Sequence, residues 1–78
     1  MTREEAAIYR DLEGRLCVCG AAKTRGESFC KKDYFSLPWY LRRRLYDRAG
    51  YCATFLEACK ILKLDPPKPI AEMQPGLL

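Results

Sequence analysis

Apolar residues recur at helical spacing in three stretches of the chain, and each stretch carries its own start and stop signals. In the first, Ile8, Tyr9 and Leu12 form one stripe. Thr2-Arg3-Glu4-Glu5 fits a capping box, in which the threonine caps and the glutamate reaches back. Gly14 supplies a stop, so a helix is predicted from about Arg3 to Glu13. In the second, Leu37, Leu41 and Leu45 recur every four residues, predicting a helix over about Leu37 to Arg48. Ser36 is a good N-cap, and Pro38 is tolerated in a first turn. Ala49-Gly50 breaks this helix. The third runs from about Tyr51 to Lys63, with Cys52, Phe55, Leu56, Cys59 and Leu62 along one face. So short a connection between the last two helices predicts an antiparallel or steeply crossed pair.

The stretch Leu16 to Pro38 has no such period. Leu16 to Val18 and Ser28 to Phe29 predict at most a minimal β-hairpin. At the other end, Asp65-Pro66-Pro67-Lys68-Pro69 stops the last helix. Residues 65–78 hold four prolines and no periodicity, so they read as an extended tail. Within it, Ile70, Met73, Leu77 and Leu78 offer apolar contacts for a groove. The expected organisation is one helical domain over 1–64 and a proline-rich tail over 65–78, with no internal repeat.

Size changes this picture. A chain of 78 residues forms one domain with a modest core, and scaffolds this small often need a metal or disulfide staple. No apolar run approaches the roughly 20 residues of a membrane span. The first ten residues are charged and amphipathic and do not resemble a secretory signal, so the cytoplasm is the expected compartment. Disulfides are rare there, which turns attention to the five cysteines as metal ligands or free thiols.

Three of them fall in the stretch that lacks a helical period. Cys17-Val18-Cys19-Gly20 makes one close pair, and Cys30-Lys31-Lys32-Asp33 makes another, with ten residues between. Structural zinc sites take four ligands, usually as two close pairs separated by a loop. A Cys-x-Cys pair on a straight strand would send its sulfurs to opposite faces, so the chain must turn at Val18. Gly20 and Gly26 can take the positive φ that such turns require. The chain has no histidine, so Asp33, Cys52, Cys59 or water must complete the shell. Asp33 sits where a Cys-x-x-Cys pair would end, and carboxylate oxygen binds zinc. The competing readings are three reduced thiols, or a disulfide from Cys17 or Cys19 to Cys30 with one of the five cysteines left over. Cys52 and Cys59, on the apolar face of the third helix, read first as small core hydrophobes.

The net charge is +4, and residues 15–48 hold nine Lys/Arg against Glu27, Asp33 and Asp47. Arg15, Lys23, Arg25, Lys31 and Lys32 surround the cysteines in sequence. They would lower thiol pKa values and offset a site of three thiolates, one carboxylate and Zn²⁺. In the second helix, Trp39, Arg42, Arg43 and Tyr46 share a face by spacing. Such a face, with Lys31 and Lys32, suits nucleic acid: guanidinium meets phosphate and rings stack on bases. It equally suits a protein interface, where Trp, Tyr and Arg are favoured anchors, or a plain solvated surface. No Gly-rich phosphate loop or paired-carboxylate motif points to catalysis, and the expectation is a non-enzymatic binding module.

The runs Cys17-x-Cys19-Gly20, Ser28-Phe29-Cys30-x-x-Asp33-Tyr34 and Leu37-Pro38-x-x-Leu41-Arg42-x-x-Leu45-Tyr46 resemble small zinc-binding proteins of bacteriophages and prophages. Their pattern is Cys-x-Cys-Gly, Ser-Phe-Cys-x-x-Cys-Tyr and Leu-Pro-x-x-Leu-Arg, followed by one more helix. The match covers about residues 16–62, and Asp33 stands where the pattern has its fourth cysteine. The resemblance implies a zinc-stabilised fold and a phage origin, beside the small α-rich, metal-stabilised domain that the periodicity predicts. Small phage proteins often bind and redirect host machinery, so an inhibitor of a host complex, such as an anti-CRISPR or a polymerase or nuclease inhibitor, is a second expectation. A DNA mimic would be acidic, whereas this chain is basic.

Overall fold

The computed structural model describes residues 2–68. Four helices and one isolated antiparallel bridge make up its regular structure: α1 (Arg3–Glu13), α2 (Lys31–Ser36), α3 (Trp39–Arg44), α4 (Tyr51–Leu62), and the pairing of Leu16 with Ala22. The capping box forms as the sequence predicts. The Glu5 amide donates to Thr2 Oγ1 at 3.1 Å and the Thr2 amide to Glu5 Oε1 at 2.8 Å. At the far end of α1 the satisfying group comes from outside the helix. Lys23, only 8% exposed, donates from Nζ to the carbonyls of Asp11 and Gly14, both at 2.8 Å. A buried ammonium thus meets carbonyls that a helix C-terminus leaves without partners.

Two expectations are corrected. The helix predicted over Leu37 to Arg48 is shorter, α3 from Trp39 to Arg44, and a separate short helix, α2, precedes Pro38 in a stretch where none was expected. Leu37 takes an extended conformation, with ψ at 151°. Proline disfavours the helical region for the residue before it, so the chain cannot run helically through this point. Ser36 is accordingly the end of α2, donating to the Lys32 carbonyl at 2.8 Å, and does not cap the next helix. α3 stops at Arg44, and Asp47 turns the chain by accepting from the Ala49 amide at 3.0 Å. The second correction concerns the hairpin. Ser28 and Phe29 do not pair with Leu16 to Val18. Leu16 pairs with Ala22, because the chain reverses within the intervening residues, and Phe29 is left free to enter the core.

α4 is the packing centre, lying against α1 and α3. Phe55 stacks on Phe29 with ring centroids 4.8 Å apart, and Tyr51 stacks on Tyr9 at 5.5 Å. The Tyr51 and Ser28 hydroxyls share a hydrogen bond of 2.7 Å, so the ring is buried and its polar end is satisfied. Leu37, Leu41 and Leu45 are all buried, as their spacing predicts. The stripe on α4 is rotated from the expected one: Tyr51, Thr54 and Ala58 join Phe55 inside, while Leu56 is 39% exposed. Cys52 and Cys59 pack in the core, and burial pushes the Cys59 thiol up to about 11. α4 ends at Lys63, a left-handed residue with φ of 59°, and the Leu64 amide reaches back to the Cys59 carbonyl at 2.9 Å. Residues 64–68 carry no regular structure, and Ile70, Met73, Leu77 and Leu78 lie outside the described residues. Among the described residues no helix is long and apolar enough to cross a membrane.

Phe55 is fully buried and joins the loop to the helices through Phe29. Phe55→Ala is expected to cost about 3–5 kcal/mol, a large share of what so small a domain holds. Urea denaturation followed by circular dichroism measures it; an unchanged midpoint would mean that this stack is not the centre of the core.

Candidate metal centre

Two local structures bring four candidate donors together. In the first, the Gly20 amide donates to the Cys17 carbonyl at 2.8 Å and the Cys17 amide to the Ala21 carbonyl at 2.7 Å. This is the turn that the Cys-x-Cys spacing demands, and Gly20 completes it at a φ of +97° that side chains rarely adopt. The Leu16–Ala22 bridge closes its base. In the second, Cys30 is the N-cap residue of α2 and Asp33 lies in its first turn. Residues three apart on a helix lie on one side, so the thiol and the carboxylate face the turn together. The ten-residue connection between the two pairs reverses at Gly26, with φ of +90°, whose amide is tied to the Leu12 carbonyl at 2.8 Å.

The ligand atoms of Cys17, Cys19, Cys30 and Asp33 all lie within 4.8 Å of one another, and these four residues could hold a metal ion. A tetrahedral ion with bonds of about 2.3 Å to sulfur sets its sulfurs about 3.8 Å apart. The Cys19 and Cys30 sulfurs stand 3.7 Å apart, matching that edge. The Cys17 thiol donates to Asp33 Oδ2 at 3.3 Å, slightly inside the roughly 3.6 Å that a sulfur–oxygen edge would span. All five cysteines are free thiols, so no disulfide competes for this arrangement. Cys52 and Cys59, the other candidates for the fourth position, are in the core and outside the group.

Electrostatics describe a site poised between proton and metal. Burial pushes the Cys17 thiol up to about 12, against the opposing pull of the Cys19 and Cys30 amides. Cys19 is raised as well, chiefly by its hydrogen bond to Asp33. Asp33 moves the other way. The Cys19 thiol holds its carboxyl below the usual range, burial opposes this, and Cys17, Cys30 and the charge of Lys32 add to the lowering. The carboxylate is therefore ionised at neutral pH and gathers the thiols around it, while Cys17 and Cys19 keep their protons until a cation displaces them.

Of the cations expected to surround the site, two are engaged elsewhere. Lys23 holds the end of α1, and Arg25 pairs with Glu13 at 2.8 Å. Lys32 does act on Asp33. The residues proposed for a binding face make two sets of contacts. The Arg42 guanidinium lies over the rings of Tyr34 and Phe35, at 5.9 and 5.5 Å, and the Tyr34 hydroxyl donates to that of Tyr46 at 3.2 Å. Arg43 lies over Trp39 at 5.9 Å. Lys31 and Lys32 are exposed on α2. The structure adds Phe35, 65% exposed, to the surface. Sequence periodicity missed it with the rest of α2, although Pro38 marked where a preceding helix would end. No protein-family model, curated protein or solved structure matches the chain.

Loading the site with metal must expel the protons of Cys17 and Cys19, whereas Asp33 has none to give. Binding is thus expected to release at least two protons per ion at neutral pH, and so to weaken as pH falls by at least about 100-fold per unit. An indicator in weak buffer reads the release; uptake of metal without acidification would exclude thiolate coordination. Asp33→Cys is expected to keep the helical spectrum and tighten metal binding, since thiolate suits a soft site better than carboxylate. A chelator competition giving unchanged binding for that variant would show that position 33 does not supply a ligand.

Proposed function

We propose that the chain is a non-enzymatic, zinc-stabilised binding module that contacts nucleic acid through the basic, aromatic surface of α2 and α3. The observation that carries the reading is the convergence of three sulfurs and one carboxylate oxygen within 4.8 Å. Sulfur-rich tetrahedral sets favour zinc among common metals, and four protein donors leave no open position for a substrate or a metal-bound water. That donor count supports a structural ion over a catalytic one. The phage origin rests on the resemblance of the cysteine and Leu-Pro motifs.

The surface supports the second half of the reading. Trp39 and Tyr46 are 62% and 78% exposed, which is unusual for rings of their size unless a partner covers them. Arg42, Arg43, Arg44 and Arg48 follow within ten residues, with Lys31 and Lys32 on the preceding helix. Phosphate neutralisation makes affinity fall steeply with salt. Binding of labelled DNA or RNA is expected at low ionic strength, with Lys32→Ala combined with Arg43→Ala reducing the salt slope by about 0.7–0.9 for each phosphate no longer neutralised. Absence of binding to both polymers at low salt would remove this reading. The same exposed Trp39 and Tyr46 among arginines also match the composition of protein hot spots. They support, second, an inhibitor that docks on an acidic or nucleic-acid-contacting face of a host complex, and capture of one stoichiometric, salt-stable partner would favour it.

A further inference from the structure

A cleft of about 280 Å³ opens between the 26–31 segment and the surface of α2 and the 45–48 turn. It is separate from the cysteine cluster, none of whose four residues lines it. Buried Phe29 lies at its base, and Tyr34, Phe35 and Tyr46 supply aromatic walls. Lys31 and Arg48 bring positive charge to its lining. Its size lies at the lower edge of small-molecule sites, roughly 300–1,000 Å³, which suits one flat ring system. The walls are braced without a ligand. Tyr34 meets Phe35 edge-on at 5.2 Å, Arg42 lies over both rings, and Tyr34 holds Tyr46 through their hydroxyls. Phe35 and Tyr46 nevertheless expose most of their area, so these rings are positioned by the fold but left uncovered by it.

We propose that this cleft receives one unstacked base of a single-stranded nucleic acid, stacked against Phe35 and Tyr46, with the flanking phosphates on Lys31 and Arg48. The inference rests on the nucleic-acid reading above and narrows it. In a duplex the faces of each base are covered by its neighbours, and only an unpaired strand can offer a face to a protein ring. Cations beside the aromatic walls match a backbone that carries one negative charge per nucleotide. The one acid in the lining, Glu27, is a hydrogen-bond acceptor of the kind that a base amino group meets. A second, independent feature points the same way. Trp39 and Tyr40 are also exposed, and Arg43 stacks on Trp39, so α3 carries further rings and charge of the same kind outside the cleft.

The test uses the metal-loaded full chain, a short labelled single strand as DNA and as RNA, and the same strand annealed to its complement. The single strand is expected to bind at least about tenfold more tightly than the duplex. Phe35→Ala and Tyr46→Ala, both at exposed positions, should each weaken single-strand binding by roughly 5- to 150-fold with the salt slope unchanged. Lys31→Ala and Arg48→Ala should instead lower the single-strand slope by about 0.7 each. Circular dichroism of all four variants checks that the fold is kept. Equal or tighter binding of duplex, with the ring variants neutral, would overturn the base-binding cleft and leave the nucleic-acid reading standing. No binding of either form at low salt would overturn both.

Discussion

Four donor groups that repel or crowd one another when ionised are held within one small volume, and the rest of the molecule is arranged so that they can be. Three of the four carry sulfur, and the fourth is a carboxylate that attracts the thiols' protons. Without a cation the cluster is a set of hydrogen bonds, one buried and one half-buried, both weak because sulfur is a poor donor. With a cation the same atoms become bonds that the unfolded chain cannot make, so metal affinity becomes folding free energy. That coupling matters most in a domain whose apolar interior is small.

The cluster is continuous with that interior. Cys17 and Cys30 belong to the same buried group as Ile8, Leu12, Phe29 and Phe55. Phe29 precedes Cys30 and stacks on α4, so the second ligand pair is anchored to the core through its neighbour. The first pair is anchored differently. Lys23 ties the end of its turn to the carbonyl end of α1, and Gly26 adds another bond to the same helix at Leu12. If the cluster holds an ion, its loss would loosen α1 and α4 together, because the intervening segment touches both. α2 couples this centre to the outer surface. Its first turn carries Asp33 toward the cluster, and its later residues, Tyr34 and Phe35, line the cleft. Asp33, which could hold a metal ion, and Phe35, which lines the cleft, lie two residues apart on one short helix.

Much of this could be read from residue order. Thr2 and Glu5 announce the start of α1, the leucines at 37, 41 and 45 all go inside, and Gly20 and Gly26 take the positive φ that tight turns require. These features are local, and local chemistry decides them. What escaped was decided elsewhere. α2 has six residues, too few for a period to show, and the leucine spacing counted Leu37 into a helix from which Pro38 excludes it. Lys23 reads as a solvated charge near cysteines, yet its role depends on the end of a helix nine to twelve residues earlier. The stripe on α4 is rotated because Tyr51 finds Ser28 and Tyr9, partners that no count along α4 reveals. The contact of Tyr46 with Tyr34 likewise joins residues twelve apart, which no count along α3 reveals.

Metal content and fold should be measured on one sample: elemental analysis of the reduced, freshly isolated protein, followed by circular dichroism as a strong chelator is added. One zinc per chain is expected, with collapse of the helical signal as the ion is withdrawn and recovery when zinc is restored. Protein that carries no transition metal and keeps its helical spectrum under chelator would contradict that expectation.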